Sequence, residues 1–126
     1  MGNYDAENFD PPAPVAHVTL RNPATGDVLE KVPLLIDSGA DTTLLPSEAV
    51  EKIGINAEEN RAFEVQGFSG DTNVLKVARL DILFLNKTFK GEYLLIDRPI
   101  GVLGRNILNK LRIIFDGLRG EWREQK

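Results

Sequence analysis

The chain has 126 residues, no cysteine, one histidine (His17) and a formal net charge of −4. One domain is expected at that length, disulfides and thiolate chemistry are excluded, and the acidic balance argues against a nucleic-acid surface. No apolar run nears the roughly 20 residues of a membrane helix, and the start lacks a secretory signal, so a cytoplasmic protein without a membrane partner is expected.

Residues 1–14 are polar and acidic, then rich in proline (Pro11, Pro12, Pro14). That composition suggests a flexible arm ahead of a folded domain over residues 15–126. Met1-Gly2 opens like a myristoylation signal, but Ala6 stands where Ser or Thr is needed. Val15 to Leu20 alternates apolar and polar residues and reads as a strand. Asn22-Pro23-Ala24-Thr25-Gly26-Asp27 carries turn chemistry, and Val28 to Ile36 reads as the return strand. A short helix is expected over residues 46–53, with Pro46 and Glu48 suited to its start and Gly54 to its stop.

Ala62 to Gln66 and Thr72 to Ala78 flank Gly67-Phe68-Ser69-Gly70-Asp71, a hairpin with a glycine-rich tip. Arg79 to Leu85 and Thr88 to Ile96 form the next hairpin, around Asn86-Lys87. Asn106 to Leu111 reads as a short helix near the C-terminus. Arg112 to Phe115 and Gly120 to Arg123 form a last hairpin. The total is a mainly β domain, a small barrel or sandwich.

Two segments stand out chemically. In Leu34-Leu35-Ile36-Asp37-Ser38-Gly39-Ala40-Asp41-Thr42, an apolar strand runs into a turn whose first polar residue is an aspartate. A carboxylate there meets backbone N–H groups freed by the turn. Ile100-Gly101-Val102-Leu103-Gly104-Arg105-Asn106 follows the same logic further along.

In these motifs, and in the order of elements from Val15 to Phe115, the chain resembles the retropepsins, the retroviral-type aspartic proteases. The resemblance implies an acid-protease barrel with a glycine-rich flap. It implies an aspartic endopeptidase acting on extended polypeptide, with no metal or other cofactor. The chain carries one Asp-Ser-Gly turn, so the active site would be shared by a homodimer, with Asp37 as the catalytic residue of each protomer. By the same resemblance, the Ser38 hydroxyl locks the two turns together and Gly39 allows a close backbone approach. Ala40, Asp41 and Arg105 support substrate and dimer, with Asp41 and Arg105 as an ion pair. Gly67, Phe68, Ser69 and Gly70 form the flap that closes over the peptide. The long N-terminal segment and the added Asp116 to Lys126 depart from the family's interleaved terminal strands. The alternative is a catalytically silent domain that binds peptide or serves assembly through the same cleft.

Overall fold

Strand periodicity governs most of the chain. The computed structural model describes residues 2–66 and 72–126, with side chains described outside 59–75. In chain order the elements are β1 (Gly2–Asp5), β2 (Ala13–Arg21), β3 (Val28–Ile36), β4 (Leu44–Pro46), α1 (Ser47–Lys52), β5 (Glu58–Gln66) and β6 (Thr72–Phe84). They continue with β7 (Lys87–Ile96), β8 (Gly101–Leu103), α2 (Arg105–Leu108), β9 (Ile113–Asp116) and β10 (Glu121–Glu124).

Six strands close a ring. The order β6-β7-β4-β8-β3-β2 returns to its start because β2 also pairs with β6. The ring is mixed: β3 runs parallel to β8 and β4 parallel to β7, while the other pairs are antiparallel. Closure removes exposed edges from the barrel. Leu20, Leu34, Leu45, Ile82 and Leu103 fill its interior at 0 % exposure.

At the β2–β6 seam, Arg21 opposes Asp81 and donates to Oδ2 from Nη2 at 2.9 Å and from Nε at 3.1 Å. Asp81 is buried, so the guanidinium supplies the charge partner that burial demands. The neighbouring Tyr93 phenol donates to the Phe89 carbonyl. Its pKa is pushed up to about 12 by burial and by the charge of Asp81.

The expected elements differ from the observed ones at four places. The flexible arm expected over residues 1–14 is in part a strand: β1 pairs with both β10 and β2. What composition hides is the lodging site. Gly2 lies so close to the Trp122 indole that a Cβ would overlap it, and the Asp5 carboxylate caps the next turn by accepting from Glu7 and Asn8. The 79–96 hairpin turns on Leu85-Asn86, one residue earlier than expected; both have positive φ (52° and 61°), the requirement of a tight two-residue hairpin turn. The two strands expected around residue 78 are one strand, β6, because it pairs with β5, β7 and β2 in succession. The short segments β4 and β8 join the ring although three residues carry little periodic signal.

Both short helices are present, α1 within the expected 46–53 and α2 as a single turn one residue ahead of expectation. No helix among the described residues is long and apolar enough to cross a membrane.

Candidate active site

Burial carries β3 to the point where the chain must turn. Leu34 and Ile36 face the core, and β8 runs alongside, with Ile36 opposite Leu103. The ladder's last bond is donated by the Asp37 N–H to the Leu103 carbonyl at 3.1 Å. The chain then folds over itself. The Ala40 N–H donates to the Asp37 carbonyl at 3.1 Å, and the Gly39 N–H donates to Asp37 Oδ1 at 2.9 Å. A Cβ on Gly39 would sit 3.1 Å from that same Oδ1, so the glycine serves close approach. Asp37 is thereby held at the strand end, half-buried, in a fixed orientation.

The second motif braces the first. The Arg105 N–H donates to the Ala40 carbonyl at 2.9 Å, and Arg105 Nη1 donates to the Ser38 carbonyl at 2.8 Å. The glycines on either side of Val102-Leu103 are required by contact: a Cβ on Gly104 would strike the Thr42 backbone, and one on Gly101 the Leu44 carbonyl. Thr43, at 0 % exposure, joins the two segments. Its hydroxyl donates to Asn106 Oδ1 at 2.7 Å and accepts from the Gly104 N–H at 3.0 Å.

Of the residues singled out from sequence, Asp37, Ser38, Gly39, Ala40 and Arg105 meet in one turn-and-brace unit. Asp41 is beside them in sequence but exposed. Among the described residues no ion pair joins it to Arg105. The expected pairing is replaced by the bond from Arg105 to Ser38, because the Arg105 backbone is pinned under Ala40 and its fork reaches the turn carbonyl directly. The flap candidates Gly67, Phe68, Ser69 and Gly70 lie outside the described residues; the strands leading to them, β5 and β6, pair antiparallel up to Gln66 and Thr72.

Thr43 and Asn106 went unassigned in the sequence. Their partnership joins positions 63 residues apart, which no local pattern in the sequence reveals. Among the described residues no group of three or more His, Asp and Glu side chains is placed to hold a metal ion. Two grooves of about 600 and 550 Å³ among the described residues are lined by other residues than Asp37.

A model of the retroviral aspartyl protease family matches residues 11–115. Among solved structures, EIAV protease complexed with the inhibitor HBY-793 is similar at 21% identity and a TM-score of 0.60, over 85% of this chain and 91% of that one. A retropepsin-like aspartic protease from Rickettsia conorii is similar at 17% identity and a TM-score of 0.62, over 93% of this chain and 84% of that one. These structures share the retropepsin-like fold, a mainly β barrel with two short helices. The family match takes in both the Asp37 turn and the Gly104-Arg105-Asn106 brace, and the chain belongs to the retroviral aspartyl protease family.

Proposed function

We propose that the protein is an aspartic endopeptidase that hydrolyses peptide bonds in extended polypeptides, with one Asp37 from each protomer of a homodimer. The observation that carries this reading is the fixed Asp37 carboxylate at the end of β3, oriented by Gly39 and braced by Arg105. A pure binding module has no use for a carboxylate oriented in this way. Membership in the family adds to it.

Two carboxylates about 3 Å apart hold one proton between them, because both cannot ionise at that distance. The ionised Asp37 takes a proton from water as the water oxygen attacks the scissile carbonyl carbon. The protonated Asp37 gives its proton to the carbonyl oxygen. Collapse of the tetrahedral adduct then breaks the C–N bond as a carboxyl proton passes to the leaving nitrogen. The step balances without metal, and neither oxidant nor reductant enters.

The test is incubation with an unfolded protein at acid and neutral pH, with and without a statine inhibitor that mimics the tetrahedral adduct. Cleavage that statine blocks and EDTA does not is the expected result. An intact substrate under every condition, with peptide still retained by the protein, would overturn the reading in favour of a silent peptide-binding domain.

A further inference from the structure

Lys87 stands where two grooves of different character meet, about 550 and 390 Å³ in volume. The larger has an apolar wall of Val15, Leu83, Leu85 and Trp122. The smaller is lined by Lys110, Arg112, Asn109 and Gln125, with Leu111 as its one apolar residue. The Lys87 ammonium donates to the Glu124 carboxylate at 2.9 Å, so that pair cancels its own charge.

The rest of the basic groove is uncommitted. Lys110 and Arg112 are exposed, and among the described residues neither is in an ion pair. Lys110 lies 6.0 Å from the centre of the Phe89 ring, which holds the ammonium in place without neutralising it. Unneutralised cations gathered in one groove of a chain with a net charge of −4 call for an anionic occupant.

The apolar groove is kept against the preference of the backbone. Leu85 sits in the β6–β7 turn at φ 52°, where a two-residue hairpin turn favours Asn, Asp or Gly. Its side chain is half-buried, packs in part on the core and lines the groove.

The two halves are spaced like alternate residues of an extended chain. Trp122 lines the apolar groove and Glu124 the basic one. Both lie on one face of β10, two residues or about 6.7 Å apart along it. A peptide laid alongside β10 across both grooves presents residues i and i+2 to one groove each. The side-chain amides of Asn86, Asn109 and Gln125 flank that path, and an amide both donates to and accepts from a peptide backbone.

We propose that this composite groove docks an extended peptide segment of a partner protein, with an apolar side chain against Leu83 and Leu85 beside Trp122 and an acidic side chain two residues away beside Lys110 and Arg112. Asp37 lines neither groove, so the docking site is independent of the proteolytic reading.

The test uses the full chain carrying Asp37→Asn, which keeps a peptide probe intact whether or not the protein is a protease. The probe is a short fluorescent peptide with one leucine and one glutamate two residues apart, made in both orders. Anisotropy reads binding, and an unlabelled copy is expected to change the emission of Trp122, the only tryptophan. Replacing the probe's glutamate by glutamine, or its leucine by serine, should weaken binding at least about fivefold each. Lys110→Glu combined with Arg112→Glu should weaken it at least about tenfold. Leu85→Asn suits the positive φ and so leaves the turn intact; it should erase the preference for leucine over serine. Binding that follows the glutamate but ignores both the leucine and Leu85→Asn would reduce the site to a charged patch and overturn the proposal. Binding that neither protein variant alters, or a probe that stays free at every protein concentration, would overturn it too. Dodecanoate that displaces the probe at a lower concentration than the unlabelled peptide would make the groove a lipid site. A probe released as the protein dimerises would give the groove to a second copy, and either result overturns the peptide as its occupant.

Discussion

Thr43 shows how much of the site's rigidity rests on one hydroxyl. It is fully buried, donates to Asn106 and accepts from the Gly104 N–H. Thr43→Val keeps the shape and strands the buried Gly104 N–H at roughly 1–3 kcal/mol, while the exposed Asn106 amide can turn to water. The expected loss in urea unfolding is about 2–3 kcal/mol, whereas Thr43→Ser, which keeps both bonds and loses a methyl, should lose about 1 kcal/mol. Equal losses for the two variants would mean that packing, not the hydrogen bonds, matters there. At this scale the sequence was legible where chemistry is local: an aspartate at a strand end before Ser-Gly announces itself. It was illegible where the partner is remote, as with Thr43 and Asn106, or where two candidate acceptors compete for one guanidinium. Arg105 reaches the Ser38 carbonyl, and nothing in the spacing of Asp41 and Arg105 distinguishes that outcome from an ion pair.

Strands were read well wherever alternation ran for several residues, as in β3, whose bounds match expectation to the residue. β4 and β8 were missed because three residues give no period, and β1 because its stability comes from a distant tryptophan. That last correction can be measured. Trp122 donates from Nε1 to the Val15 carbonyl at 3.1 Å, stands 5.7 Å from the Phe84 ring and is covered by Gly2. Deleting residues 1–12 uncovers this cluster and should lower the melting temperature by at least about 3–6 °C, the equivalent of roughly 1 kcal/mol in a domain of this size. A flexible arm would leave it unchanged. β7 gives a second measurement, through Tyr93. Its pKa is raised from 10.0 to about 12, so between those values the unfolded chain loses the phenolic proton first. The native state then binds more protons, and stability falls as pH rises through that window. The expected fall is on the order of 2 kcal/mol, and Tyr93→Phe should flatten it in urea melts taken across the same range. An identical slope in that variant would assign the effect to other groups.

At the scale of the whole molecule, the proposed enzyme calls for two copies of this small barrel. The protomer is complete as a fold: its six-strand ring is closed, and β1 and β10 seal its side. It is incomplete as a proposed active site, since one chain supplies one Asp-Ser-Gly aspartate. The sequence conveyed this in a simple form, one Asp-Ser-Gly and no second. It could not convey which surface would meet a second copy, because that depends on what is left uncovered after folding. The central claim, a dyad with one carboxylate from each of two chains, is tested most directly by mixing. Wild-type protein and Asp37→Asn are combined at constant total concentration, allowed to exchange subunits, and assayed on an unfolded protein substrate. Only dimers with two intact aspartates should cleave, so activity should follow the square of the wild-type fraction and fall to about one quarter in an equal mixture. Activity that falls linearly, to about one half, would contradict the account and place the whole catalytic apparatus within a single chain.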